Sequence, residues 1–243
     1  MIKATLATLA VAAFATTAGA QSLSLNEFVL NDSSTDDHEF VEICGPVGFD
    51  LTGYSIVVIE GEGSSTGLID RNFVLTGSIG ASGFYTIGDA AVSPDQIKGD
   101  TIENGGATIL LVQGFSGALG MDLDGDNDGN ADGPFPGQIV DIIGTGRPSQ
   151  GDNVYYGAQQ LGPDTGNGGT SDFDVAGAAR CGDCDGMWGF ICLSGTEPTG
   201  SGCDINNAFN PYVVEFATPG QSNGCGTVSV EPSTWGQVKS SYR

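Results

Sequence analysis

Asp37-His38-Glu39-Phe40-Val41-Glu42-Ile43, followed by Asp50-Leu51-Thr52-Gly53-Tyr54 running into Ser55 to Ile59, reads as strand, turn and strand. Successive side chains of a strand point to opposite faces, so Glu39, Val41 and Ile43 share one face and Phe40 and Glu42 the other. The alternation leaves open which face is buried. Upstream, Leu23, Leu25 and Glu27 to Leu30 form another strand, separated from this one by the turn Asn31 to Asp37. Downstream, strands are expected at Asn72 to Leu75, Gly83 to Ile87, Thr108 to Val112, Gln138 to Ile143, Val154 to Tyr156 and Tyr212 to Phe216, each bounded by Gly, Pro, Asn or Asp. No long stretch keeps apolar residues at helical spacing, and 40 glycines and 10 prolines punctuate the short apolar runs. The chain is therefore all-β, and its strand count suits a sandwich. Gly157 to Asp172 and Ala176 to Asn207 read as loop-like insertions.

The first residues, MIKATLATLAVAAFATTAGA, combine Lys3, a short apolar run and the small-residue ending Ala18-Gly19-Ala20. That pattern predicts a secretory signal peptide over 1–20, cut before Gln21, and hence a secreted or cell-surface protein. The domain is expected over 21–226, with a tail at 227–243. No later segment approaches a membrane-spanning apolar run. Thirty acidic side chains face 7 basic ones, a formal net charge of −23. Such a balance argues against contacts with nucleic acid or anionic lipid, which need Lys and Arg, and most of it is read as solvated surface.

The densest acidic stretch is Met121 to Gly133, MDLDGDNDGNADG, with five aspartates. With Asp124 as position 1, side-chain oxygens recur at Asp126 and Asp128, Gly129 supplies the sharp turn at position 6, and Asn130 and Asp132 fall at positions 7 and 9. A hard cation takes about 6 to 8 oxygen ligands, and alternate residues of a curling loop turn inward. Calcium is the cation this pattern fits. Position 12 is Phe135, where a helix-loop-helix site carries a bidentate Glu, and Gly120, Gly133, Pro134 and Pro136 oppose flanking helices. The loop thus resembles the calcium loops of thrombospondin type 3 repeats more than an EF-hand. The alternative is an Asp/Asn/Gly turn without an ion; mutual repulsion of five carboxylates favours the metal.

Six cysteines, Cys44, Cys181, Cys184, Cys192, Cys203 and Cys225, imply up to three disulfides in an exported chain, with the pairing open. Cys181-Gly-Asp-Cys184 has the spacing of a redox pair or zinc knuckle, but no helix pattern follows it and no histidine accompanies it.

The order of these signals resembles the lamin tail domain in its exported bacterial form. Leu25-Asn26-Glu27-Phe28 is similar to the family's opening strand, Asp37 to Ile43 to its second, and Asp50-Leu51-Thr52-Gly53-Tyr54 to the following turn and strand. Asn104-Gly105-Gly106-Ala107-Thr108-Ile109-Leu110-Leu111 is similar to its next turn and strand, although Asp is common where Ala107 stands. Gln138-Ile139-Val140-Asp141 resembles the strand after an Asp-rich insertion, and Ala217-Thr218-Pro219-Gly220-Gln221-Ser222-Asn223 the terminal signature. The Cys-rich segment departs from the pattern. The resemblance implies an immunoglobulin-like β-sandwich acting as a binding or assembly module without a catalytic site.

The residues offer little to an enzyme. His38 is the sole histidine and no nucleophile elbow is present, while Glu39 and Glu42, on opposite faces of one strand, cannot converge on a bond. A calcium-dependent hydrolase of phosphoesters or glycans is the alternative; it requires Asp141 or another acid beside an open metal position in a cleft. In the tail, Thr234 and Gln237 suit a capping box, Trp235, Val238 and Tyr242 share a helical face, and Lys239 and Arg243 end it. A sorting or docking segment and a frayed terminus are both open there. The expectation is a secreted or cell-surface, calcium-stabilised, non-catalytic module whose partner is an extracellular protein or polysaccharide.

Overall fold

A computed structural model describes residues 22–30, 37–99, 102, 105–162, 175–191, 213–214, 217–223 and 225–226. The expected leader at 1–20, most of the Asn31 to Asp37 turn, Cys192, Cys203 and the tail at 227–243 lie outside the described residues. The strands are β1 (Ser24–Val29), β2 (Phe40–Cys44), β3 (Tyr54–Glu60), β4 (Ile69–Val74), β5 (Phe84–Gly88), β6 (Gln96–Ile97), β7 (Ala107–Gln113), β8 (Gln138–Thr145), β9 (Gln159–Leu161), β10 (Gly177–Cys181), β11 (Met187–Ile191), β12 (Val213–Val214) and β13 (Cys225–Gly226). One sheet has eight strands in the order β13-β12-β11-β10-β1-β2-β5-β6, the other five in the order β4-β3-β7-β8-β9. The molecule is an all-β sandwich, as its punctuation by glycine and proline leads one to expect.

Between the sheets, Leu25, Phe28, Val41 and Ile43 from one side share a core with Ile56, Val58, Ile109, Leu111 and Ile143 from the other. The question that alternation left open at β2 has a double answer. Val41 and Ile43 enter this core, and Phe40 is equally buried on the other face with Val29, Ala179 and Ile191. The five-stranded sheet is also covered on both faces. Val57, Ile59, Leu110 and Val112 form a second core beneath Leu123, Tyr155 and the partly buried Phe115 and Phe135. Burial on both faces explains why β3 and β7 are continuous apolar runs.

Two expectations are corrected. Val154 to Tyr156 is not a strand: Tyr156 turns the chain at φ 54, Tyr155 lies in the second core, and β9 begins only at Gln159. The segment Ala176 to Asn207 is not all loop, because β10 and β11 extend the larger sheet beside β1. The reason is close approach. A Cβ on Gly177 would stand 2.6 Å from the Phe28 carbonyl oxygen, and Ala178 and Ala179 follow, so a strand is made without the β-branched residues that advertise one.

One disulfide joins Cys44 at the end of β2 to Cys184 in the β10–β11 turn, with Cα atoms 5.2 Å apart at a sequence separation of 140. Cys181 is disulfide-bonded as well. Cys184 is thus bonded far from its CxxC neighbour, which removes the redox-pair and zinc readings of Cys181-Gly-Asp-Cys184.

Candidate metal centre

The Asp-rich loop connects β7 to β8 and is fastened along the edge of β4. Gly120 donates its N–H to the Ile69 carbonyl at 2.8 Å, Ile69 donates to Met121 at 2.9 Å, and Leu123 donates to Gly67 at 3.0 Å. This pairing extends the sheet edge and directs Leu123 into the second core. Phe135, the residue at position 12, stacks on Phe115 with ring centroids 5.7 Å apart and meets Tyr156 edge-on at 5.3 Å. The position that ligates in an EF-hand here closes the core instead.

Within the loop, Asp124 is fully buried and organises the turn. Its Oδ1 accepts the Asp128 N–H at 3.1 Å; its Oδ2 accepts the Gly129 N–H at 2.9 Å and the Tyr155 hydroxyl at 3.0 Å. Burial, with the Asp124 carboxylate adding to it, pushes the Tyr155 phenol up to about 12, so it remains a donor. A carboxylate oxygen carries two lone pairs; Asp124 Oδ2 uses both and Oδ1 retains one for a cation. One oxygen from each of Asp124, Asp126 and Asp128 lies within 4.8 Å of the others. At a calcium–oxygen distance of about 2.3 to 2.6 Å, ligands on one ion stand up to about 5 Å apart, so the three fit a single calcium. Asp126 is exposed, and its carboxyl is raised first by the charge of Asp128, then by slight burial and by Asp132 and Asp124. A cation relieves that repulsion.

Two further sequence candidates are placed differently. Asp132 Oδ2 accepts the Gly125 N–H at 2.7 Å, tying the end of the loop to its start. Asn130 donates its amide nitrogen to Asp128 Oδ1 at 3.0 Å, which fixes the amide beside Asp128. Gly129 adopts φ +84, and a Cβ there would stand 2.6 Å from Asn153 Oδ1. Gly129→Ala is expected to lower stability by about 2 kcal/mol in chemical denaturation, from a strained left-handed backbone and a displaced Asn153.

Other acids expected on the surface are buried, and they serve as anchors. Glu27 and Glu42 face each other across β1 and β2 and are both fully buried. Glu27 Oε1 accepts the Thr218 N–H at 2.8 Å, while Glu42 accepts from the Asn26 amide at 2.8 Å, from the Thr86 hydroxyl at 3.2 Å and from the Gly220 N–H. Asp183 takes the Asn223 N–H at 2.7 Å and the Ser222 hydroxyl. The segment 217–223 is thus held over the outer face of the larger sheet by carboxyl groups. Reading acids as solvated missed them; the available signal was that Glu27 and Glu42 stand among the apolar strand residues Leu25, Phe28, Val41 and Ile43. Asp141 joins the two sheets, its Oδ2 accepting from Arg180 Nη2 and from the Leu25 N–H, each at 2.9 Å. Arg180 also lies 4.7 Å from the Trp188 ring centroid. His38 is exposed and pairs with Asp37 at 2.6 Å. Glu39 and Glu42 have separate partners, Glu39 facing Lys98 and Ile102.

Comparison with family models, with curated proteins and with solved structures found no match to this chain.

Proposed function

We propose that the protein is an exported, calcium-stabilised β-sandwich that works without catalysis, as a surface or extracellular binding and assembly module of lamin-tail-like type. The observation that carries this reading is the position of the Asp124, Asp126 and Asp128 oxygens on a loop whose Leu123 and Phe135 close a hydrophobic core. A cation at that place holds a lid on the sheet. The same reading is supported by Asp141, the acid on which a hydrolase would depend, because both of its oxygens are engaged by Arg180, Leu25 and the Ile142 N–H. The partner class is an extracellular protein or polysaccharide, and the cationic tail ending in Lys239 and Arg243 is a sorting or docking segment.

The test is a binding screen of the purified chain against arrayed glycans and extracellular proteins, with and without calcium, run beside turnover assays on phosphoester and glycan substrates. Saturable, calcium-dependent binding without turnover is the expected result. Turnover that is lost on chelation would replace the proposal with the hydrolase reading.

A further inference from the structure

Beside the start of β2, three charged side chains meet away from the metal loop. Lys98 Nζ lies 2.7 Å from Glu39 Oε2 and 2.9 Å from Asp89 Oδ1, with side-chain exposures of 2% for Lys98, 0% for Glu39 and 21% for Asp89. Ionised, the three sum to one negative charge, a costly arrangement in a site that is largely buried and open to water only at Asp89. Burial, reinforced by the charge of Asp89 and opposed by hydrogen bonds from Lys98 and Ile102, holds the Glu39 carboxyl above its ordinary range. Glu39 Oε1 is buried without a hydrogen-bond partner among the described residues, so an ordinary ion triad leaves this oxygen unexplained.

The surroundings are arranged as a reaction site. The Lys98 N–H donates to the Gly88 carbonyl at 2.8 Å and the Asp89 N–H to the Glu39 carbonyl at 2.9 Å, which pins both ends of the 88–98 loop and holds amine and carboxyl in contact. Such positioning replaces a bimolecular encounter. The Glu39 N–H donates to Asp89 Oδ2 at 2.9 Å, in place to stabilise negative charge developing on that oxygen.

We propose that Lys98 and Asp89 condense spontaneously into an intramolecular isopeptide bond, with Glu39 as the proton-transfer group. Glu39 takes a proton from the Lys98 ammonium; the freed Nζ lone pair attacks Asp89 Cγ, and the Nζ–Cγ bond forms. The Cγ–O bond then breaks, and that oxygen leaves as water with the two protons shed by Nζ. An ammonium and a carboxylate become a neutral amide and one water, with no oxidant or co-reactant. Loss of two buried charges favours the product. Asp89, and not Glu39, is the electrophile because its partial exposure gives the water a way out.

The test is peptide mapping of the denatured, reduced wild-type protein. The peptides bearing Asp89 and Lys98, which a protease cutting before aspartate separates at Asp95, are expected joined and lighter by one water than their sum, and trypsin is expected not to cut after Lys98. Glu39→Gln, refolded and sampled over time, is expected to form the link at least about 100-fold more slowly, the size of effect usual for a lost proton-transfer group. Recovery of the two wild-type peptides unlinked and at unmodified mass overturns the proposal, as does a link from Lys98 to Glu39. The wild-type map decides the matter even if Glu39→Gln does not fold.

Discussion

Asp124→Ala is expected to destabilise the protein by about 3 to 5 kcal/mol without calcium, and by more with it, since the stabilisation by the ion is lost as well. The substitution removes the acceptor of two backbone N–H groups, on Asp128 and Gly129, and of the Tyr155 hydroxyl. Each buried donor left without a partner costs about 1 to 3 kcal/mol. Tyr155 retains its contact with Thr66 at 2.8 Å, which limits the loss on that side. The consequence spreads because the loop carries Leu123 into the second core, and a loosened turn uncovers Val57, Ile59 and Leu110. Asp126→Ala should behave differently: Asp126 is exposed and crowded by like charges, so its removal leaves the calcium-free protein unchanged or slightly more stable while weakening calcium binding. Denaturant melts of the two variants with and without calcium separate the turn's own contribution from the ion's. Equal destabilisation by both would contradict the account.

Stability is also expected to fall as pH rises from about 5 to above 8, on the order of 4 kcal/mol, through Glu27 and its partner Glu42. Burial first, then the charge of Glu42, pushes the Glu27 carboxyl up to about 8; burial first, with the Asp183 charge adding to it, pushes Glu42 up to about 7. A raised folded-state pKa gives stability that is complete below the unfolded value of about 4.5 and is lost as pH climbs through the folded value. The hydrogen bonds around Glu27 oppose that rise only weakly on the Thr218 hydroxyl side. The Asn223 amide nitrogen donates to the Asn26 carbonyl at 3.3 Å and the Arg180 carbonyl at 3.1 Å, which turns its oxygen to Thr218 Oγ1 at 2.7 Å. The single Thr218 hydroxyl proton is shared between that oxygen and Glu27 Oε2 at 3.2 Å, so it can do little to stabilise an ionised Glu27. Glu27→Gln keeps the acceptor for the Thr218 N–H and removes the ionisation. Its stability should therefore lose much of the pH slope and exceed that of the wild type above pH 8. An unchanged slope in Glu27→Gln would remove Glu27 from this role. Limited proteolysis around 217–223 gives an independent reading, since ionising Glu27 weakens the hold on that segment.

The strands that organise the sandwich were readable because they are apolar runs bounded by turn residues, as at Ser55 to Ile59 and Thr108 to Val112. The grouping of the Asp124, Asp126 and Asp128 oxygens was readable for a related reason: aspartates at alternate positions of a tight turn point their side chains to one centre. What escaped was information carried by contact. β10 is built on Gly177, Ala178 and Ala179, whose smallness answers the nearness of β1 and has no strand signature of its own. Phe135 broke the EF-hand pattern, and only packing reveals that it serves the core. The burial of Glu27, Glu39 and Glu42 was hidden by a composition in which acids are abundant and mostly solvated; their partners Thr218, Lys98 and Gly220 lie 59 to 191 residues away.

The central claim is that calcium binds the Asp124 loop and thereby stabilises the fold. It is tested most directly by thermal melting of the chelator-treated protein during a calcium titration, with Asp126→Ala in parallel. Millimolar calcium is expected to raise the wild-type melting temperature by about 5 to 10 °C, saturably, and to leave Asp126→Ala nearly unmoved. A wild-type melting temperature that millimolar calcium does not change would contradict it.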